Sequence, residues 1–210
     1  MRLLLSVSLG LLALAGSARA QGAGHPDSLF AEEIRLRVEI DQSARRLPLQ
    51  DPSLGSNAIA MLRAIDSLNT EWLRAIVARR GWPTVSQVGA DAAGGAWLLV
   101  QHADRDPAFQ RAMLALMEPL AASGEVSRSN VAYLTDRVRV AAGEPQLYGT
   151  QVERWEGWTP IPYPIEDPEH VDARRAAMGM DTLETYFDLF RRHMGYEEPA
   201  TRVPAPPTGE

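Results

Sequence analysis

The stretch Ala96-Trp97-Leu98-Leu99-Val100-Gln101-His102-Ala103-Asp104 passes from apolar to polar residues with no turn residue between them. Its apolar half is typical of a helix that is buried on every side. A buried imidazole or amide must find hydrogen-bond partners, because an unpaired polar group in a protein interior is costly. The stretch therefore predicts the centre of the core, and at its end an internal polar network that is either structural or an active site.

Helical periodicity continues on both sides of this stretch. Apolar residues recur every three or four positions, and capping and stop residues separate the runs. We expect helices at about residues 29–46, 58–80 and 90–103, a fourth from Pro107, a fifth capped by Ser129 and reaching residue 142, a short one over 167–178 and a last one after an Asp181-x-x-Glu184 capping box. This pattern predicts an all-α single globular domain of six to seven helices over residues 29–195.

The segment 144–168 has a different character. It is rich in proline, with alternation in Pro160-Ile161-Pro162-Tyr163-Pro164, and Trp155 and Trp158 lie among these residues. Such a composition predicts an extended strap of polyproline character across the helical domain. No run in the chain shows the sustained alternation of a β-strand.

Composition excludes several classes of chemistry. The 210 residues include no cysteine and no lysine, so all 21 basic residues are arginine, and the net charge is −6. Disulfides, thiolate metal sites, Walker-type phosphate loops and Schiff-base chemistry are excluded. A net negative surface disfavours nucleic acid, so we expect no nucleic-acid partner. No motif indicates a cofactor, and we expect none.

The ends of the chain predict export. Residues 1–20 have the positive start, the apolar run and the Ala18-Arg19-Ala20 cleavage site of a secretory signal peptide. The apolar run is too short for a stable membrane anchor. We expect cleavage near Ala20/Gln21 and a periplasmic or secreted product, with a flexible lead over residues 21–28 and a disordered, proline-rich tail over residues 196–210.

His102 is the first candidate for chemistry. A neighbouring carboxylate could hold it as a general base near its ordinary pKa of about 6.5, and Asp104 and Asp136 are candidates for catalytic carboxylates. The alternative is a structural histidine that is hydrogen-bonded in the core. His102 and Asp104 alone are too few ligands for a metal ion, so we expect no metal.

Further candidates bind ligand in this hypothesis. Asp41 and Arg45 continue the inward row of the first helix, where a charge pair must join a network, unless the row turns to solvent near the helix end. Gln42 flanks the pair. The remaining candidates are Gln101, Tyr133, Arg137, Gln146, Tyr148 and Gln151. The alternative for the last three is a turn around Gly149.

These segments resemble a known family. In order, Gly81-Trp82-Pro83-Thr84, Gln101-His102-Ala103-Asp104, Tyr133-Leu134-x-Asp136-Arg137-Val138 and Gln146-x-Tyr148-Gly149-Thr150-Gln151 are similar to motifs of a bacterial family known only as a domain of unknown function. The resemblance covers about residues 30–194 and includes Asp41-Gln42-x-x-Arg45, which favours the inward network. It implies a helical, often exported protein, and it implies no activity, cofactor or catalytic residue.

Two functions are compatible with the sequence. In the first, a pocket formed by His102, Asp104, Asp136, Arg137, Tyr148 and the Asp41/Arg45 pair carries out hydrolase-like chemistry, with Arg45 or Arg137 holding a small anionic substrate. In the second, a non-catalytic envelope protein binds a small molecule or a partner protein through Trp155, Trp158 and Tyr163. Exposure of the two tryptophans distinguishes these hypotheses.

Overall fold

The computed structural model describes residues 27–193, which form seven α-helices and one β-hairpin. In chain order the elements are α1 (Ser28–Gln50), α2 (Gly55–Arg80), α3 (Val85–Gln101), α4 (Pro107–Ala121), α5 (Arg128–Ala141), β1 (Val152–Glu156), β2 (Thr159–Pro162), α6 (Val171–Ala177) and α7 (Leu183–His193), with short 3-10 turns before α2 and α6. The mostly helical class predicted from sequence is confirmed. No helix within these residues is both long and apolar enough to cross a membrane.

The predicted termini are only partly covered. The expected signal peptide over residues 1–20, the lead as far as residue 26 and the tail over residues 196–210 lie outside the described residues. Ser28, which we assigned to the lead, is instead the first residue of α1.

Helix α3 lies at the centre and packs against α1, α2, α4 and α5. Ala96 and Val100 are fully buried, as the apolar stretch predicts. The approach of α1 is close at Gly95, where a Cβ atom would lie 3.0 Å from the Val38 Cγ2 atom and 3.2 Å from the Ile34 Cγ2 atom. This contact brings the inward face of α1 directly against α3.

Several helix starts differ from the expected ones, and those of α3, α5 and α7 show why. Helix α3 begins at Val85 and continues past a non-helical residue, Gly89, whereas its apolar run suggested a start near residue 90. Ser127 caps α5 in place of the predicted Ser129. The Thr185 amide donates to the Thr182 hydroxyl at 3.2 Å at the start of α7, so Asp181 is not the cap. A sequence pattern does not distinguish neighbouring polar residues as caps. The cap is the residue whose side chain can accept a hydrogen bond from a free backbone amide of the first turn.

The middle of the extended proline-rich strap, residues 152–162, is a β-hairpin, so the polyproline character that we expected is wrong for this part. Strands β1 and β2 pair antiparallel across a Gly157-Trp158 turn, with Trp155 opposite Pro160. A two-stranded sheet tolerates proline because each strand has an edge that needs no backbone donor. The Gln146 amide donates to the Pro164 carbonyl at 2.8 Å beside the hairpin.

Candidate functional site

The polar end of α3 meets two other helices. His102 directly follows α3, and its side chain is 8% exposed. Helix α1 contributes Asp41 and Arg45, one turn apart on its inward face, and α2 contributes Asp66. Asp41 is fully buried, so the inward network predicted for this part of α1 is present.

The imidazole of His102 is held by Asp41. Its Nδ1 atom lies 2.9 Å from Oδ2 and 3.1 Å from Oδ1 of the carboxylate. Arg45 Nε lies 3.1 Å from the same Nδ1 atom and 3.3 Å from Asp41 Oδ2. Nδ1 can either accept the Arg45 Nε–H or donate its own proton to Asp41. We assign the proton to Nδ1, because an N–H donated to a buried carboxylate makes a charge-assisted bond, and the Arg45 Nε–H then has Asp41 Oδ2 as its acceptor. The Nε2 atom then keeps its lone pair, and no hydrogen bond to it is found within residues 27–193.

Burial and charge displace both pKa values of this pair. Burial lowers the pKa of His102, although the bond to Asp41 opposes this effect. For Asp41, burial acts to raise the pKa, but the hydrogen bond and charge of His102 and the charge of Arg45 together bring it below its ordinary value. At neutral pH the pair is therefore a neutral imidazole beside an ionised carboxylate.

Asp66 is the third acidic group at this position. Arg45 Nη2 bonds Asp41 Oδ1 at 3.1 Å and also pairs with Asp66 Oδ1. Burial raises the pKa of Asp66 to about 6, with the charge of Arg45 opposing and those of Asp41 and Asp104 adding to the rise. Asp66 therefore exchanges a proton with solvent near neutral pH, which no ordinary aspartate does.

Our sequence reasoning missed Asp66. A signal was present, because Leu62, Asp66, Asn69 and Leu73 follow one another at helical spacing on α2. Asn69 and Leu73 are buried, and Asp66 is partly buried. Polar residues that interrupt an apolar row on α2 predict an inward polar network, as they do on α1.

The other side chains of the Gln-His-Ala-Asp segment point to different helices. Arg137 on α5 donates from Nε to Gln101 Oε1 at 2.8 Å and pairs through Nη1 with Asp104. Gln110 on α4 donates to the Val100 carbonyl at 3.1 Å and lies 3.4 Å from Asp104 Oδ1. On the α1 side, Gln42 Nε2 donates to Asp41 Oδ2 at 2.8 Å. The segment thus joins α3 to α1, α4 and α5 through polar contacts, and Arg45 of α1 connects it to Asp66 of α2.

The cluster changes from buried to open along one direction. The exposed fraction of the side chain rises from 1% at Asp41 to 8% at His102, 20% at Asp66 and 29% at Arg45. Asp104 is half exposed on the side of Arg137. Solvent therefore reaches the cluster at Asp66 and Arg45, which are more exposed than Asp41 and His102.

Asp136 belongs to a separate arrangement. Its carboxylate accepts the amides of Leu147 at 2.7 Å, Tyr148 at 3.0 Å and Thr150 at 2.9 Å, and the Thr150 hydroxyl at 2.9 Å. Within the described residues, no hydrogen bond or ion pair joins Asp136 to His102. Asp136 is therefore bonded to the 147–150 loop and not to His102, and a pocket that contains both residues stays a prediction.

Gln146 and Gln151 shape the loop that Asp136 holds. Gln146 Nε2 donates to the carbonyls of Gln151 at 2.9 Å and Tyr163 at 2.8 Å, and its Oε1 accepts the Gln151 amide at 2.8 Å. Gly149 has a φ of 72°, and a Cβ atom there would lie 2.7 Å from Leu183 Cδ1. The turn that we weighed as the alternative for this segment is present.

Tyr133 packs on aromatic neighbours. Its ring is edge-on to Trp97 at 6.0 Å and to Tyr186 at 6.1 Å between centroids. Arg175, which sequence reasoning did not single out, lies 5.0 Å from the centroid of the Tyr186 ring and donates to the Tyr148 carbonyl at 2.7 Å. Burial raises the pKa of Tyr133 and Tyr186, so both phenols stay protonated at neutral pH.

The aromatic residues of the hairpin differ in exposure. Trp155 is half-buried, with its ring 5.3 Å from the ring of Phe190, and Tyr163 is half-buried as well. Trp158, in the turn, is 49% exposed. Of the three residues expected to form a contact surface, Trp158 in the hairpin turn is the one that is largely exposed.

Comparison with known families extends this description. The profile of a family of unknown function, DUF6624, matches residues 31–197. The chain belongs to this family. The resemblance inferred from the motifs is thereby confirmed, and the match includes both the His102 cluster and the loop around Asp136. No curated protein and no solved structure matches the chain.

The cluster in this DUF6624 member has ligand atoms for a metal ion. One ligand atom each from Asp41, Asp66 and His102 lie within 4.8 Å of one another. Two carboxylates and an imidazole suit zinc or manganese. The guanidinium of Arg45 already bonds both carboxylates and lies beside the imidazole. A metal ion would have to displace it, so the geometry favours Arg45 as the cation of this cluster.

Proposed function

We propose that this protein is a hydrolase-like enzyme that uses His102 as a general base. The observation that carries the proposal is the 2.9 Å contact between His102 Nδ1 and the buried Asp41 carboxylate. Such a carboxylate fixes the tautomer and the orientation of the imidazole and stabilises the imidazolium that forms during turnover. The lone pair on Nε2 is then available to a water molecule or a substrate hydroxyl.

Asp66 is suited to the complementary acid role. In the proposed step His102 takes a proton from water and the water oxygen bonds to the electrophilic atom of the substrate. The bond between that atom and the leaving group breaks, and Asp66 protonates the leaving group. The proton that His102 gained then returns through solvent to Asp66. A pKa of about 6 gives Asp66 a protonated fraction for this role near neutrality, while Asp41 stays ionised. Arg45, which bonds both carboxylates, fixes their separation.

Charge balance bears on the substrate class. Both arginines of the cluster are engaged by carboxylates, Arg45 by Asp41 and Asp66, and Arg137 by Asp104. With His102 neutral and Asp66 protonated, as the acid role requires, the two remaining carboxylates balance the two guanidinium groups. Because both guanidinium groups are already engaged by carboxylates, this balance supports a small neutral substrate over the anionic one that the sequence suggested.

A panel of chromogenic nitrophenyl esters, glycosides and phosphates, assayed between pH 5 and 8, tests the proposal. His102→Gln should lower turnover of the accepted class by about 10²- to 10⁴-fold, the usual contribution of a general base. Trp158→Ala is the matched control and should leave turnover unchanged, because the partners of Asp41, Asp66 and His102 among the described residues lie on α1, on α2 and at the end of α3. Wild-type turnover by a folded His102→Gln protein would refute the proposal, and loss of turnover on chelation would point to a metal ion instead.

A second measurement needs no substrate. ¹⁵N NMR of the His102 imidazole should show a proton on Nδ1 and a pKa below the ordinary histidine value, because burial lowers it. A proton on Nε2 at pH 7 would remove the base from the proposed mechanism. Asp41→Asn should lower this pKa further, since the anion that favours the imidazolium is lost.

Export belongs to the proposal as well. The signal-like residues 1–20 support chemistry outside the cytoplasm. Expression of the whole chain in a Gram-negative host, followed by N-terminal sequencing of the periplasmic fraction, should give a product that begins at Gln21. A cytoplasmic product that begins at Met1 would contradict this part.

The non-catalytic alternative keeps one supporting observation, the exposure of Trp158. In that function Trp158→Ala would remove ligand binding while His102→Gln would not. The two functions therefore predict opposite results for the same two variants.

A further inference from the structure

The outer side of α1 carries large apolar residues that are exposed to solvent. Leu29 is 87% exposed, Leu36 52%, Ile40 58% and Leu47 40%. Successive spacings of seven, four and seven residues place them in one line along the helix, away from the fully buried Ile34. Isolated apolar residues on a surface are ordinary, but a continuous line of them marks an interaction site.

The line has the spacing of a coiled-coil seam. Positions 29, 36 and 43 form one row of a heptad, and positions 33, 40 and 47 form the other. At a rise of 1.5 Å per residue the seam is about 27 Å long. Glu33 and Ser43, both exposed, are its polar members.

The seam reads the same from both ends, and this symmetry identifies its partner. When two copies lie antiparallel about residue 38, Leu29 faces Leu47 of the second copy and Leu36 faces Ile40. Glu33 then faces the neutral Ser43. A parallel pair would instead place Glu33 against Glu33 at a seam position, which is destabilising. A two-fold interface requires this kind of self-complementarity.

Flanking charges agree with the antiparallel arrangement. Glu32, Glu39 and Arg46 follow each other at seven-residue spacing along one side of the seam. In an antiparallel pair the same sides of the two helices meet, so Glu32 of each copy lies near Arg46 of the other. The arrangement gains two opposite-charge contacts. At the centre of the seam, Glu39 of one copy lies near Glu39 of the other.

We propose that the outer face of α1 is a self-association surface on which two copies of this chain pair antiparallel. The seam is short, near the small end of specific interfaces, so we expect association in the micromolar range. The proposal is independent of the catalytic one, because Asp41 lies on the inner face of α1 and His102, at the end of α3, bonds to it there.

Sedimentation equilibrium of the mature protein between about 1 and 200 μM tests the pairing. The wild type should be a concentration-dependent dimer, and Leu36→Glu with Ile40→Glu should be monomeric throughout. Leu68→Glu is the matched control, because Leu68 is equally exposed but lies on α2, outside the seam. A wild type that remains monomeric at the highest concentration overturns the proposal, including the case in which residues 21–26 cover the seam.

Cross-linking tests the direction of the pair. The chain has no cysteine, so only introduced ones react. A Leu29→Cys/Leu47→Cys variant should form a covalent dimer on mild oxidation, whereas Leu29→Cys alone should not, because its copies lie at opposite ends. A covalent dimer from Leu29→Cys alone would overturn the antiparallel arrangement. Glu32→Arg and Arg46→Glu should each weaken the dimer, and the double variant should restore it.

Discussion

Two fully buried aspartates, Asp41 and Asp136, serve this fold in different ways. The Asp136 carboxylate accepts hydrogen bonds from backbone amides and a hydroxyl. The Asp41 carboxylate instead accepts them from the side chains of His102, Arg45 and Gln42. Burial raises the pKa of Asp136 even though the amides of its loop oppose the rise. The pKa of Asp41 is lowered because His102 and Arg45 outweigh burial. A carboxylate held by backbone organises a loop, whereas Asp41 belongs to the proposed proton-exchange site, where it stays ionised and orients the imidazole of His102.

Asp136→Asn tests the structural half of this comparison and should have the largest effect. One acceptor oxygen is replaced by an NH₂ group that faces backbone N–H groups, so buried donors of the 147–150 loop lose their acceptor. We expect a loss of about 3–5 kcal/mol in the free energy of unfolding, the usual result of breaking a buried charged network. Urea denaturation followed by circular dichroism measures it.

Asp41→Asn is the matched control for this change. Its partners include the partly exposed Arg45, which can turn to Asp66 or to water, so the loss of stability should be smaller. Equal losses in the two variants would break the distinction between a loop anchor and a proton-exchange site.

The pH dependence of Asp66 sharpens the other half. Its pKa is about 6 when folded and near 3.8 when unfolded, so the folded state holds more protons between these values. The free energy of unfolding should therefore fall as pH rises from 4 to 6, and Asp66→Asn should lack this fall. After discounting for partial exposure, the difference should be about 2 kcal/mol or less, measured by urea denaturation across this pH range.

His102 changes the free energy of unfolding with pH in the opposite direction, so its contribution must be separated from that of Asp66. Its lowered pKa means that the unfolded state binds a proton first as pH falls through about 6.5, so stability is lost toward acid. His102→Gln should remove that loss and leave the Asp66 slope in isolation. In this background the free energies of unfolding of His102→Gln and of the His102→Gln/Asp66→Asn double variant are compared. If their difference did not change between pH 4 and 6, the raised pKa of Asp66 would be contradicted.

Much of the site could be predicted from periodicity. The apolar run of α3 placed Gln101 and His102 at a buried boundary, and the inward row of α1 placed Asp41 and Arg45 toward it. Both predictions follow from the angle of about 100° between successive residues of a helix. The sequence could not show that Asp136 and His102 have separate partners, because periodicity defines an inward direction and not the neighbour met there.

Adjacent residues on α5 illustrate this limit. Arg137 reaches Gln101 on α3, whereas Asp136 reaches the loop that follows α5. Which of the two reaches the polar end of α3 depends on how α5 is rotated about its axis in the assembled core. The hairpin was missed for a different reason, since Pro160 and Pro162 obscure strand alternation although an edge strand tolerates them.

Thr150→Val is the smallest change, and it asks whether the two aspartates are coupled. It removes the hydroxyl that donates to Asp136 Oδ2 at 2.9 Å and accepts from Gln151 Nε2 at 2.9 Å, while the Thr150 amide still bonds the carboxylate. We expect a loss of about 1 kcal/mol in the free energy of unfolding, the usual contribution of one hydrogen bond.

Gln42→Leu is the counterpart of this change at the other aspartate. It removes a donor to Asp41 at 2.8 Å from a partly exposed side chain, so stability should change little while the pKa of His102 moves. Because Asp136 shares no hydrogen bond with His102, Thr150→Val should leave both the imidazole titration and turnover as in the wild type. If Thr150→Val shifted the His102 titration as far as Gln42→Leu does, the loop around Asp136 would have to be counted as part of the proton-exchange site.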